Sequence, residues 1–540
     1  MPILADAAAL STATGLFLVL AIGLALSFEF VNGFHDTANA VATVIYTHTL
    51  PPWVAVIWSG CWNLIGVLTS SGAVAFGILA LLPVELVVNI GSSTGFAMVF
   101  ALLISAILWN LGTWYLGLPA SSSHTLIGSI MGVGLANSLL AKGHVFGEGV
   151  NWHQVTAVFT TLLVSPVVGF VCSALLLLIM KAFFRNPALY TAPAKDVPPP
   201  MGIRSLLVLT CTGVSFAHGS NDGQKGMGLI LLILIGILPG AYALNMGANS
   251  AAVQKLSVSA ASVAPMLDSH AGGAMLSADA APDELSAYIK TTGVLTSRTF
   301  AALTLINHKI AVELAAKQSF RDLAPDQVKS VRTEMYLVNG AVTKLMAQNL
   351  IKNPDEKKAL TAYKAQLTAA TQYIPQWVKF AVALALGLGT MIGWKRIVTT
   401  VGEKIGKQHL TYAQGASAEL VAMATIGAAD LFGLPVSTTH VLSSGVAGTM
   451  AANHSGLQMN TLRNLLLAWV LTLPVCLILG AATFSAGLFL IFTTPLKKVL
   501  FVAGIFILAM IVRILWQTLA ARTGHARESE QDEISAASPA

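Results

Sequence analysis

The sequence predicts an all-α polytopic membrane protein built from two homologous halves, and three observations carry that expectation. The 540 residues are 55% hydrophobic and only 10% charged, whereas water-soluble domains carry about 25% charged residues to keep their surfaces wetted. Apolar runs of bilayer length, roughly 20 residues, recur along the chain. Two polar motifs each occur twice within those runs. A mean hydropathy of +0.73 and 46 glycines agree with helices that face lipid and approach one another closely.

The long apolar runs extend from Ala9 to Val31, Trp53 to Ala80, Phe96 to Leu116, Val155 to Met180, Leu206 to Ala243, Val378 to Gly393, Leu465 to Phe492 and Val499 to Leu519. Two shorter or interrupted runs lie near Pro119 to Leu140 and Ala416 to Ala451. Together they predict about 10 to 12 transmembrane helices. The first residues carry Asp6 and neither Lys nor Arg ahead of the apolar run, which argues against a secretory signal and places the start outside the cytoplasm. Non-helical backbone at membrane depth needs protein or a water-filled cavity to satisfy it, so the runs broken by polar, glycine-rich clusters mark the functional region.

Of the 30 basic and 24 acidic residues, 23 fall between Ser250 and Pro375. That stretch reads as a soluble segment, helical around Asp326 to Ile351, where Val331, Met335, Val338, Val342 and Leu345 recur at helix spacing. The expected organisation is a first transmembrane repeat over 1–180, a basic proline-rich linker over 181–204 and the start of a second repeat over 205–249. A soluble, largely helical insertion follows over 250–375, then the remainder of the second repeat over 376–519 and a disordered tail over 520–540. The linker, with Pro198, Pro199 and Pro200, and the basic loop from Lys395 to Lys407 both read as cytoplasmic. The net charge of +6 is not gathered into a basic run, so no nucleic-acid partner is indicated. Cys61, Cys172, Cys211 and Cys476 show no metal or redox spacing and read as core residues.

The first repeated motif, FVNGFHDTANA from Phe30, aligns with FAHGSNDGQKG from Phe216 at an offset of 186. The second, LGLPASSSHTL from Leu116, aligns with FGLPVSTTHVL from Phe432 at an offset of 316. The difference is about the size of the charged segment, so one duplication with an insertion in the second half explains both. An ionised Asp36 or Asp222 at bilayer depth costs at least about 2.5 to 3.5 kcal/mol. Their recurrence at equivalent places points to a shared ion and substrate site. Ser121, Ser122 and Ser123 follow Pro119, while Ser437, Thr438 and Thr439 follow Pro435. A proline opening a helix, followed by hydroxyls and free N–H groups, is suited to receive an anion. Glu29, Glu419 and Asp430 read either as proton relays or as anchors for the hairpins, and His124 and His440 as donors to carbonyls of a broken helix rather than as groups that titrate near neutral pH.

These motifs resemble the paired motifs of the inorganic phosphate transporter (PiT) family, with wording close to its bacterial low-affinity permeases. The resemblance covers both halves and excludes the insertion and the tail. It implies two inverted repeats with broken helices and re-entrant hairpins, a homodimer in the plasma (inner) membrane, and import of inorganic phosphate by alternating access. By resemblance, Asp36, Asn39, Asp222 and the two hydroxyl runs bind the substrate. The commoner family wording has Asn-Asp and then Asn three residues later in both halves. Here His35 precedes Asp36, and Lys225 stands where the first half has Asn39.

An imidazole or ammonium does not suit Na⁺ as an amide oxygen does, so proton coupling is expected. The coupling-ion or proton groups are then Asp36, Asp222, His35, Asn221 and Lys225. Two aspartates, Lys225 and a divalent phosphate sum to −3, which calls for protons on the carboxylates, a divalent metal travelling with the phosphate, or both; the resemblance implies uptake as a neutral metal–phosphate complex, with which this sum is compatible. Sulfate or another oxyanion as substrate, and sodium coupling, are the alternatives. No cofactor is expected and no enzyme: Ser123 and His124 are adjacent but diverge at a helix start, G-x-S-x-G is missing at those serines, and a duplicated site does not suit one nucleophile.

Overall fold

The computed structural model describes residues 11–36, 38–81, 92–140, 146–147, 150–194, 197–289 and 293–494, without the side chains of 38, 39 and 240. The expected run from Val499 to Leu519 and the tail lie outside the described residues. Every regular element among them is helical. The first half comprises α1 (Thr12–Asp36), α2 (Ala38–Tyr46), α3 (Pro52–Thr69), α4 (Ala73–Leu79), α5 (Ser93–Tyr115), α6 (Ser122–Leu140) and α7 (Trp152–Phe183). The second opens with α8 (Met201–Ile237) and α9 (Pro239–Tyr242). It resumes after the charged segment with α15 (Gln376–Met391), α16 (Lys395–Glu403), α17 (Tyr412–Leu431), α18 (Thr438–Ala452) and α19 (Met459–Phe492).

Local sequence explains where these helices start and stop. Pro52 occupies the first turn of α3, where its missing N–H costs nothing. Gly72, at φ 89°, turns the chain between α3 and α4, so the apolar run from Trp53 to Ala80 is two helices. Asn151 caps α7 by accepting from the Gln154 N–H. The run from Leu206 to Ala243 is one continuous helix of 37 residues up to Ile237, ended by Pro239.

Among the described residues, six helical segments are long and apolar enough to cross a membrane, seven if α15 and the preceding Pro354–Thr371, bent by 70°, make one broken span. The other apolar runs are shorter helices with polar N-terminal ends, chiefly α6, α17 and α18. Leu16 and Val19 of α1, Leu163 and Val167 of α7, and Val470 and Ile478 of α19 leave apolar side chains exposed on the outer faces, where lipid is the fitting solvent.

Residues up to Phe484 form one compact unit, and the remaining described residues, 485–494, belong to a separate one. Inside the first unit the halves exchange partners. A Cβ at Gly33 of α1 would collide with the Leu386 carbonyl of α15, and one at Gly389 with the Phe30 carbonyl of α1. The same reciprocal contact joins Gly219 of α8 to the Asn63 carbonyl of α3, and Gly66 to the Phe216 carbonyl. Small residues are what allow such backbone approach. Matched sequence positions thus make matched contacts. Between α6 and α19, Gly132 abuts the Leu477 carbonyl, and between α18 and α7, Gly448 abuts the Phe170 carbonyl.

The charged segment forms α10 (Ser250–Ala271), α11 (Ala281–Ile289), α12 (Ser297–Ala315), α13 (Pro325–Ala347) and α14 (Pro354–Thr371). The helix expected around Asp326 to Ile351 is α13, and Val331, Met335, Val338, Val342 and Leu345 are all buried. α13 packs against α11, α12 and α14, and α12 in turn against α10. Lys344 donates to the carbonyls of Tyr288 (2.7 Å) and Gly293 (2.9 Å), tying α13 to the end of α11.

Candidate functional site

Two matched turns build the site. Gly117 and Gly433 share a φ of 66°, a backbone region that glycine enters without strain. Each turn is closed by the same pair of bonds, Gly117 N–H to Trp114 O and Leu118 N–H to Thr113 O in one half, Gly433 N–H to Asp430 O and Leu434 N–H to Ala429 O in the other. Pro119 and Pro435 then lead each chain into a new helix. The Ser121 and Ser437 hydroxyls accept from the N–H groups of His124 and His440, both at 3.2 Å, capping α6 and α18. All six residues of the two hydroxyl runs are buried.

The fold brings both runs to Asp36, at the C-terminal end of α1. Ser122 donates to Asp36 Oδ2 at 3.0 Å and Thr439 to Asp36 Oδ1 at 2.5 Å, so one carboxylate touches both hairpins. The hairpins also touch each other, since Ser123 donates to the Val436 carbonyl at 2.8 Å. Asn221 pins the extended segment of the second hairpin, its Nδ2 donating to Leu434 O (3.2 Å) and its Oδ1 facing Val436 N (3.5 Å). His35 lies between Asp36 Oδ1 (3.3 Å from Nδ1) and Thr113 Oγ1 (3.0 Å from Nε2). Thr438 is buried in the first turn of α18. Asn39 lies in α2, and its side chain falls outside the described residues.

Asp222 is the second carboxylate, wholly buried, with Lys225 Nζ 2.8 Å from its Oδ2. Its Oδ1 accepts no hydrogen bond from a described residue. Between the two aspartates stands His218, which sequence reasoning missed. Its Nε2 is 3.4 Å from Asp222 Oδ2 and 3.9 Å from Asp36 Oδ2. Ligand atoms of Asp36, His218 and Asp222 all lie within 4.8 Å of one another, a set of two carboxylates and an imidazole that suits a proton or a divalent cation.

The His218 tautomer follows from its neighbour. Asn63 Nδ2 donates to Ser59 Oγ (3.4 Å) and Thr390 Oγ1 (3.2 Å), which leaves Asn63 Oδ1 facing His218 Nδ1 at 2.7 Å. An oxygen acceptor there requires the proton on Nδ1. Nε2 therefore presents a lone pair to the two carboxylates unless a second proton arrives. The signal available in the sequence was spacing: His218 precedes Asp222 by four residues, on the same helix face, while the equivalent position in the first half is Asn32.

Three further acids lie against neighbouring helices, Glu29 and Glu419 buried and Asp430 partly so. Asp430 at the end of α17 accepts from Ser220 Oγ (2.7 Å) and Gln224 Nε2 (2.5 Å) of α8, and Gln224 Oε1 in turn accepts from Val74 N–H at 2.8 Å. Glu419 accepts from Thr210 Oγ1 at 2.5 Å. Glu29 lies over Gly226 and accepts from Asn32 at 3.4 Å. His124 and His440, expected to donate to carbonyls, instead meet ring against ring at a tilt, with centroids 4.8 Å apart and planes at 33°, and His440 stacks on Trp469 at 4.3 Å. The His124 Nδ1 and His440 Nε2 atoms have no hydrogen-bond partner among the described residues.

Comparison with known proteins places this geometry. A model described as the phosphate transporter family matches residues 32–480. The chain is 41% identical over 498 residues to the low-affinity inorganic phosphate transporter PitA of Escherichia coli strain K12, covering 89% of this chain and 98% of that protein. It is 39% identical to PitB of the same strain, covering 88% and 98%. It is 27% identical to a probable low-affinity inorganic phosphate transporter of Bacillus subtilis strain 168, covering 86% and 96%. A solved structure described as the sodium-dependent phosphate transporter aligns with a TM-score of 0.48 at 18% identity, covering 87% of this chain and 98% of that one.

Proposed function

Given that the chain belongs to the phosphate transporter family, we propose that it imports inorganic phosphate by proton-coupled symport, through alternating access of two inverted repeats. The observation that carries this reading is His218, held in one tautomer with its free nitrogen between Asp36 and Asp222. A proton taken up there makes an imidazolium that bridges two carboxylates. It offsets the negative charge that phosphate brings into a buried, low-dielectric site. An amide or carbonyl oxygen in place of that nitrogen would have suited Na⁺.

The substrate meets Ser121, Ser122, Ser123, Ser437, Thr438 and Thr439 at the N-terminal ends of α6 and α18, where hydroxyls and helix dipoles favour an anion. Asp222 Oδ1, which no described residue donates to, separates phosphate from sulfate. Hydrogen phosphate can donate to a carboxylate, and sulfate near neutral pH can only be repelled. A divalent metal carried with the phosphate fits the Asp36, His218 and Asp222 oxygens and nitrogen as cargo, giving a neutral complex. Lys225 is the ion-pair partner of Asp222, its Nζ 2.8 Å from Oδ2, and Asn221 and His35 position the second and first hairpins. The protein acts in the inner membrane as a homodimer.

The test is uptake of labelled phosphate and labelled sulfate by proteoliposomes, with and without a pH gradient, Na⁺ or Mg²⁺. Phosphate uptake stimulated by an inward proton gradient is expected. Sulfate uptake that phosphate does not compete with overturns the substrate assignment, and an absolute Na⁺ requirement overturns the coupling. Asp36→Asn and Asp222→Asn should each abolish uptake while membrane insertion persists, and normal transport by either variant removes the central site.

A further inference from the structure

We propose that the cavity beside the first Gly-Leu-Pro turn binds the phosphate-bearing headgroup of an anionic phospholipid. This cavity, of about 620 Å³, lies between the end of α5, the turn at Gly117 and α16. Its lining includes Lys395, Arg396 and Lys404 with the hydroxyls of Thr399 and Thr400, and contains no Asp or Glu. None of the three cations takes part in an ion pair among the described residues. Three cations without an ion-pair partner form a receptor for a phosphate group, while the Thr399 and Thr400 hydroxyls are committed to the carbonyls of Lys395 and Gly117.

Arg396 is already fixed for that role. It donates to the Tyr115 carbonyl at 2.6 Å, and its guanidinium lies 5.1 Å from the Trp114 ring centroid and 4.8 Å from that of Tyr115. Stacking of this kind orders the planar fork and leaves further N–H donors for a ligand.

The surroundings choose lipid over a soluble anion. Trp114, Tyr115 and Trp394 line the cavity, the residue types that settle at a membrane interface. Leu116 and Tyr115 on its rim are exposed, 58% and 62% accessible, as suits contact with acyl chains. The basic loop from Lys395 to Lys407 marks this side as cytoplasmic, the leaflet face where anionic lipids attract cationic segments.

A headgroup held here bears directly on the transport site. Thr400 Oγ1 donates to the Gly117 carbonyl at 2.8 Å, in the turn that leads to Ser121. Trp114 Nε1 donates to Gly393 O at 2.8 Å, and its ring lies 5.0 Å from Phe34, two residues before Asp36. Binding therefore braces the first hairpin. The equivalent turn at Gly433 packs against Ala73 and is flanked by exposed Leu431 and Phe432, so the lipid acts on one half.

Native mass spectrometry of the full-length protein, loaded with phosphatidylglycerol or phosphatidylcholine, reads the site independently of transport. Wild type should retain phosphatidylglycerol in preference. The triple variant Lys395→Gln, Arg396→Gln, Lys404→Gln should lose that preference by roughly tenfold or more, since each basic residue near an anionic surface contributes on the order of a fivefold factor. Lys329→Gln, Lys352→Gln in the insertion should keep it. If the triple variant is not monodisperse, Lys404→Gln alone carries the test, with a loss of about fivefold expected. A triple or single variant that holds phosphatidylglycerol as wild type does would overturn the assignment. So would displacement of the bound lipid by excess inorganic phosphate, which would mark a soluble-anion site.

Discussion

Replacing His218 by Gln tests the coupling mechanism at its centre. On the proposed mechanism a second proton would turn His218 into a cation 3.4 Å from Asp222 Oδ2 and 3.9 Å from Asp36 Oδ2. At an effective dielectric near 20 these attractions come to about 5 and 4 kcal/mol. Desolvation of the three groups offsets most of that sum. If about a third survives, ~3 kcal/mol of proton-dependent stabilisation is lost with the imidazole, a factor on the order of 100. Glutamine keeps a polar side chain of similar reach and removes the titrating nitrogen. Uptake driven by an inward proton gradient into proteoliposomes should therefore fall about 100-fold, with insertion and monodispersity unchanged. A His218→Gln protein that keeps the wild-type rate and pH-gradient dependence would refute the reasoning. Asn63→Ala, which removes the acceptor that fixes the tautomer, should shift the pH profile of uptake with a smaller loss of rate.

Gly219→Val places a side chain against the Asn63 carbonyl and should cost at least about 1 to 3 kcal/mol by overpacking, read as a lower melting temperature in detergent. Gly33→Val should behave alike, because its contact is equivalent, while Gly23→Ala, with nothing within 4 Å of the new atom, should leave the melting temperature unchanged. Asn221→Ala frees the segment around Leu434 and Val436 and should raise the KM for phosphate roughly tenfold, about the value of one or two buried hydrogen bonds, with insertion intact. Lys344→Met removes the donor to the Tyr288 and Gly293 carbonyls. Limited proteolysis around 281–293 should accelerate while uptake persists, and uptake that is lost instead would tie the insertion to the transport cycle.

Much of this arrangement was legible in the sequence because duplication writes it twice. The Gly-Leu-Pro turns at Gly117 and Gly433 have one φ and one set of bonds, and their matching words announced both. The serine and threonine runs were visible for the same reason. What distinguishes the halves was harder to see. His218 has no counterpart imidazole in the first half, where Asn32 stands, so comparison of the repeats passed over it. Its partner Asn63 lies on α3, 155 residues away, and no local pattern links them. The histidines after the hydroxyl runs misled in a different way: adjacency suggested local carbonyl partners, but the fold brings the two hairpins together and the rings meet at a tilt. Glu419 and Asp430, open between relay and anchor on sequence grounds, hold α17 to α8 through Thr210, Ser220 and Gln224.

The bonds from Ser122 and Thr439 to Asp36 also bear on affinity. Two of the six hydroxyls proposed to receive phosphate, those of Ser122 and Thr439, are engaged by the protein's own carboxylate, so on that proposal Asp36 is a tethered competitor for the site. Substrate entry is then an exchange, in which each charge-assisted bond to be replaced withholds about 1.5 to 3 kcal/mol of the gross binding energy. Weak apparent affinity is the thermodynamic signature of such self-occupancy. On the same reading it guards the empty carrier, because a passing anion must displace an internal carboxylate to reach the Ser122 and Thr439 hydroxyls.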